Sequence, residues 1–201
     1  MKIYLMRHGE TDLNKKRCFY GSLDVSINQR GKEQALVLEN QMRDIPIDRV
    51  YVSSLRRSQE TAQLVFPIHH PIPLKNMDEK GFGLWEGLTA DQIQEQFPLE
   101  WEAWLAAPFT YRPPGAEAFG DFQDRVWTEI DRLVKVYPGQ SLALVAHLGV
   151  LRLIYQRLVD PSALFWDIDF PQGTVTVVEK EGTDVTAYLL GKEVVDDKNN
   201  S

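Results

Sequence analysis

Cysteine is nearly absent. Cys18 is the single thiol in a chain of 201 residues, which excludes an internal disulfide and any zinc site built from several cysteines. Histidine is scarce, with four. No run approaches the ~18 consecutive apolar residues of a membrane span, and the sequence shows no internal repeat or low-complexity tract. The N-terminus lacks the apolar core and small-residue cleavage site of a secretory signal, so a cytoplasmic location is expected. Positive charge is in deficit, 22 Lys and Arg against 29 Asp and Glu, for a net charge of -7. That balance argues against a nucleic-acid binder that grips many phosphates. It still permits a small anionic ligand, which needs a few local cations rather than a basic surface.

Enough is present for one core: 43% of the residues are hydrophobic, and the length fits a single domain over 1–201. Strand and helix patterns alternate. "KIYLM", "DRVYVS" and "SLALVA" read as strands, the last continuous in apolar residues as a buried parallel strand should be. Asn28 is placed to cap a helix over 29–44, in which Ala35, Leu38 and Met42 recur at helical spacing. "LRRSQETAQLVF" reads as a helix stopped by Pro67, and Thr89 with Gln92 forms a capping-box signal. A long amphipathic helix over 117–137 and another over 150–159 follow, then late strands "TVTVVEK" and "VTAYLL". The expected fold is α/β, three-layered, with a mostly parallel sheet and helices on both faces. Residues around 89–115 are expected to form a helical, lid-like insertion, and DDKNNS at the C-terminus a frayed tail.

Three of the strands end in the same chemistry. "KIYLM" runs into Arg7 and His8, "VYVS" into Ser53, Ser54 and then Arg57, and "LALVA" into His147 and Gly149. Ligands of open α/β sheets bind outside the carboxyl ends of the strands. Neighbouring strands would therefore bring Arg7, His8, Arg57 and His147 into one crevice. Two guanidinium forks and two imidazoles suit a compact oxyanion, with phosphate first among them, and the start of the helix carrying Arg57 is expected to add backbone donors. A phosphate ester also needs an acid for its leaving oxygen. Glu79, in the glycine-rich "MDEKGFGLWEG", is the candidate, ahead of Asp78, Glu86 and Glu10. A backbone carbonyl taking the proton of one His8 ring nitrogen would leave the other as a nucleophile. Gly9 would allow close packing and an unusual φ.

Taken in order, "LMRHGETDLN", "YGSLDVSINQRGKEQA", "VYVSSLRRSQETA", "DEKGFGLWEG" and "LVAHLGVLR" resemble the motifs of the histidine phosphatase superfamily, the phosphoglycerate mutase-like proteins. The resemblance implies that family's fold. It also implies a metal-independent phosphatase that hydrolyses a small-molecule phosphate monoester through a phosphohistidine, with no cofactor and no metal. His8 would be the nucleophile, Glu79 the proton donor and acceptor, and Arg7, Arg57 and His147 the phosphoryl-binding groups. Asn14, Tyr20, Gly21 and Leu148 would contact phosphate or substrate. Leu148 stands where glycine is common in the family, Ser54 where Pro or Asp is, and Gly115–Ala118 departs from its usual pattern; the first bears on substrate size.

Residues 80–146 are all that separates Glu79 from His147, less than in the family's mutases. This favours a phosphatase over the alternatives, a mutase-type phosphotransferase or a module that only binds phosphorylated ligands. Residues 97–126, Trp-rich and then Pro-rich, resemble the corresponding region of α-ribazole phosphatases of cobalamin nucleotide-loop assembly. That implies α-ribazole 5'-phosphate as a substrate, with a broad-specificity phosphatase as the alternative. His69 and His70, beside Pro71, are expected in a surface loop and Arg56 in solvent. Trp101 and Trp104 fit core packing and a lid over an aromatic substrate equally well. Glu117 either caps the long helix or touches substrate.

Overall fold

The computed structural model describes residues 1–191; the expected frayed tail, 196–201, lies outside them. Six strands make one sheet: β1 (Lys2–Arg7), β2 (Arg49–Ser53), β3 (Ile72–Leu74), β4 (Ser141–Ala146), β5 (Val175–Glu181) and β6 (Asp184–Leu189). Their order is β3-β2-β4-β1-β5-β6. Pairing is parallel from β3 to β1 and antiparallel from β1 through β5 to β6.

Side chains of a strand alternate between faces, and both faces here are apolar. Ile3 and Leu5 of β1, with Leu142 and Leu144 of β4, meet α6 (Phe119–Val136) and α7 (Leu148–Leu158) through Phe122, Val126, Ile130, Leu151 and Ile154. Tyr4 and Met6, with Ala143 and Val145, meet α2 (Gln29–Met42) and α3 (Arg56–Val65) through Ala35, Leu38, Met42, Ala62 and Val65. This is the expected three-layer α/β arrangement. Asn28 caps α2, its side chain accepting the Gly31 N–H at 2.9 Å. Thr89 and Gln92 form the expected capping box at α4 (Ala90–Gln96).

Two short elements escaped the sequence patterns: α1 (Asp12–Lys15) and edge strand β3. Helix α7 starts at Leu148, directly after His147, earlier than periodicity suggested. Helices α4 and α5 (Pro98–Ala106) carry a third, aromatic cluster in which Trp85, Ile93 and Trp101 are buried against Phe19, Phe82 and Trp104. None of the described helices is long and apolar enough to cross a membrane.

Candidate active site

The strand order puts β4 between β1 and β2, so the ends of these three strands are neighbours and Arg7, His8, Arg57 and His147 converge. The His8 and His147 rings lie 5.1 Å apart between centroids. In front of them opens a cavity of about 320 Å³. Arg7, His8, Asn14, Tyr20, Arg57, Glu79 and Leu148 line it. Gly21 and His147, also expected as ligand contacts, are not among its lining residues.

His8 is buried, and its backbone N–H is tied to Ala146 O at 2.9 Å. Its Nδ1 lies 2.7 Å from the Gly9 carbonyl, which can only accept. Nδ1 therefore carries a proton and, in the neutral ring, Nε2 keeps its lone pair. Burial, then the charges of Arg57 and Arg7, hold the imidazole well below its ordinary pKa, so the ring is neutral. Gly9 is required by close approach: a Cβ there would stand 2.4 Å from Gly31 O of α2. Its φ is not in the left-handed region, so the expected unusual backbone angle is corrected.

The two guanidiniums differ. Arg57 is fully buried, and burial lowers its pKa. Stranding such a charge would cost several kcal/mol, so part of its donor fork is tied to the protein, and the remaining N–H groups are left for a ligand. It donates to Gly21 O at 2.7 Å and Leu23 O at 2.8 Å, and the group lies over the Tyr20 ring at 4.8 Å. Gly21 thus orients Arg57. Arg7 Nε, by contrast, is buried with no partner. An unpaired, desolvated cationic donor on a cavity wall is the signature of an anion site. Among the donors expected at the start of α3, the Arg56 N–H is taken by Asp24 Oδ1 at 2.6 Å, and the N–H groups of Ser58 and Gln59 by Leu55 O.

Of the four candidate acids only Glu79 lines the cavity. Its oxygens accept the Lys80 N–H and the Gly149 N–H, each at 3.0 Å. The second tethers it to the first turn of α7, and residue 149 must be glycine because a Cβ would fall 2.5 Å from Glu79 Oε1. Asp78 is occupied by Ser53 and Ser54. Burial would raise the Glu86 pKa, but hydrogen bonds from the N–H groups of Phe82, Gly21, Ser22 and Leu23 outweigh it, and the pKa falls. Glu86 is thereby held as a structural carboxylate. Glu10 accepts from Asn28 Nδ2 at 2.9 Å and is not among the cavity residues.

Asn14 lines the cavity and also closes a turn. Its Oδ1 accepts the Thr11 N–H at 3.1 Å, closing the turn at α1, and this leaves the amide N–H₂ for the cavity it lines. Tyr20 OH is paired with Thr11 Oγ1 at 2.8 Å. Trp101 belongs to the aromatic cluster, whereas Trp104, stacked on it at 5.3 Å, reaches the cavity. Glu117 does neither thing expected of it: it forms an ion pair with Arg125 at 2.7 Å.

Sequence reasoning missed two groups. Arg125 donates to the carbonyls of Asn76, Asp78 and Glu79 and so staples the Glu79 loop to α6; only its place in a helix heptad was legible. Arg152 lines the cavity, its guanidinium over Phe165 and Trp166 at 5.2 and 5.5 Å. Its spacing of four from Leu148, one face of α7, was the available signal.

A cradle of two guanidiniums, a neutral imidazole with a free lone pair and a carboxyl on the same cavity is what a phosphoryl-transfer site needs. Residues 3–192 match the model of the histidine phosphatase superfamily (branch 1), and the chain belongs to that family. Among its relatives, it is 32% identical to the adenosylcobalamin/α-ribazole phosphatase of Salmonella typhimurium, over 89% of this chain and 90% of that one. It is 26% identical to phosphoserine phosphatase 1 of Hydrogenobacter thermophilus, over 90% and 87%. The crystal structure of a putative α-ribazole-5'-P phosphatase from Escherichia coli superposes with a TM-score of 0.88 at 28% identity, covering 94% of this chain and 95% of that one.

Proposed function

We propose that the protein is a metal-independent, cytoplasmic phosphatase acting on a small-molecule phosphate monoester through a phosphohistidine at His8. The observation that carries the reading is the pairing of a lone-pair Nε2 on neutral, buried His8 with an unpartnered Arg7 Nε on the same cavity wall. Arg7 and Arg57 hold the phosphoryl oxygens, with His147 behind them and the Asn14 amide at the edge. His8 Nε2 attacks phosphorus, the ester P–O bond breaks, and Glu79 gives its proton to the leaving oxygen. Water then attacks the phosphohistidine, Glu79 takes a proton from it, the N–P bond breaks and inorganic phosphate leaves. All positive charge in these steps comes from side chains of the chain itself.

For the leaving group, the wall offers Phe19, Phe82, Trp104, Phe119 and Trp166, surfaces on which a flat ring can stack. Residues 89–115 supply Trp104 and act as the lid over that ring. Together with the likeness to α-ribazole phosphatases, this makes α-ribazole 5'-phosphate the first substrate to test. Acid quenching is avoided because phosphohistidine is acid-labile; turnover of labelled substrate stopped in base should trap a phosphoenzyme that acid destroys. His8→Ala should abolish both label and turnover. Near-wild-type turnover by His8→Ala would refute the mechanism. A kcat/KM for α-ribazole 5'-phosphate no higher than for phosphoserine would refute the substrate.

A further inference from the structure

We propose that Ser53 and Asp78 form a relay that fixes which ring nitrogen of His147 carries the proton, making both of them positioning residues of the phosphate cradle. The proposal rests on the reading that His147 belongs to that cradle. Ser53 is fully buried at the end of β2. Three groups surround its Oγ: Leu55 N–H at 3.2 Å, His147 Nε2 at 2.7 Å and Asp78 Oδ1 at 2.7 Å. A hydroxyl has one proton to give and two lone pairs to offer.

Asp78 decides where that proton goes. As a carboxylate it only accepts, and it already takes the Ser54 N–H at 2.7 Å and the Ser54 O–H at 2.6 Å. Ser53 must therefore donate to Asp78 and accept from its other two neighbours. Leu55 N–H fills one lone pair, and the other is filled by a proton on His147 Nε2. Nδ1 of a neutral ring is then the bare nitrogen, and Arg57 Nε, 3.3 Å away, donates to it.

The ring is neutral in this arrangement. Burial, then Arg57 on α3, His8 directly after β1, Arg7 at the end of β1 and Arg125 on α6, hold its pKa well below the ordinary value. Ser58 Oγ of α3, 3.4 Å from Nε2, adds a weaker acceptor on the same side. A phosphoryl dianion bound by Arg7 and Arg57 offsets those cations. As Arg57 Nε turns its N–H from Nδ1 to the bound dianion, breaking the 3.3 Å bond, His147 takes one proton from solvent at the vacated Nδ1, while Nε2–H stays on Ser53 and the new charge is supported by Asp78. The relay also joins the two halves of the site, because Asp78 directly precedes Glu79 in the chain.

The test is the ring's protonation read by long-range proton–nitrogen NMR on labelled protein, with His147 assigned by comparison with His147→Asn. Wild type should show the Nε2–H form alone, and inorganic vanadate should convert it to the doubly protonated ring. Ser53→Ala should mix the two tautomers and lower the pH at which the vanadate-bound ring loses its second proton by about one unit or more, a shift in the range that one hydrogen bond to a charged form produces. Asp78→Asn, whose amide can donate to Ser53, should turn the hydroxyl towards His147 and favour Nδ1–H. Ser53→Thr, which keeps the hydroxyl, should restore the wild-type form. In kinetics the alkaline limb of kcat, which reports ionisations of the bound complex, should move to lower pH in Ser53→Ala; a merely structural role would reduce activity equally at every pH. An Nδ1–H ring in the wild type, or tautomer and limb unchanged in both Ser53→Ala and Asp78→Asn, overturns the relay. The NMR reading needs no turnover, so its failure leaves the phosphatase reading standing.

Discussion

Glu79 and Gly149 behave as one unit. The carboxylate rests on the Gly149 N–H, and the missing side chain of that residue is what lets it do so. Glu79→Gln should therefore slow esters with poor alkoxide leaving groups far more than p-nitrophenyl phosphate, whose nitrophenolate departs with little help. General-acid catalysis is worth roughly 10²–10⁴-fold, which sets the scale of the gap. Gly149→Ala should reproduce that selectivity while leaving vanadate affinity within about threefold, because the added methyl displaces the acid and not the cradle. Measurement of kcat/KM on both ester types, with vanadate inhibition alongside, checks the pair. Equal slowing of both esters by Glu79→Gln would remove Glu79 from the role of leaving-group acid.

The elements that could be read from sequence are those whose apolar residues keep one period. β1, β2 and β4 are short apolar runs, and α2, α3 and α6 show one-sided spacing, so their ends, and with them Arg7, His8, Arg57 and His147, could be named. β3 could not. It follows two histidines and contains Pro73, which a strand tolerates only at an edge, where β3 lies. The order of the strands was equally hidden, because parallel pairing joins segments far apart in the chain. Arg125 was illegible for a related reason: its acceptors are backbone carbonyls at 76–79, which leave no mark in side-chain pattern. Helix α5 shows how close the two readings of its tryptophans were. Trp101 faces Trp85 and Ile93, whereas Trp104, three residues on, faces both them and the cavity. Trp101→Ala should cost stability by about 3–5 kcal/mol, as large-to-small core changes do. Trp104→Ala should cost less and instead raise KM for ring-bearing esters. Urea unfolding and steady-state kinetics separate the two, and a larger stability loss for Trp104→Ala would reverse the assignment.

Across the whole molecule, burial of His8 and His147 ties stability to pH. Both are held neutral, their pKa values well below the ordinary 6.5, by burial first and then by neighbouring cations. The unfolded chain takes up these protons near pH 6.5 and the folded one does not. The contribution is therefore fully present above that pH and is lost as pH falls from about 6.5 towards the folded-state values. Each histidine adds at most about 1.4 kcal/mol per pH unit in that window. Urea unfolding free energies at pH 7.5 and 5.5 should show the decline, and the double variant His8→Asn, His147→Asn should flatten it. An equal slope in that variant would place the acid sensitivity elsewhere.

The strand order has a further consequence, in time. β4 is made after most of the chain, yet it is the strand against which β1 and β2 both pair, Lys2 with Ser141 and Arg49 with Leu142. During synthesis the first strand has no parallel neighbour until residues 141–146 emerge. His8 and Arg57 are translated early but remain on unjoined segments, at the loop-closure cost that long-range pairing carries. The same event that joins β1 to β2 through β4 delivers His147 to the end of the strand just made. A nascent chain thus has no half-built phosphate cradle to occupy, and binding competence arrives in a single step with the last parallel strand.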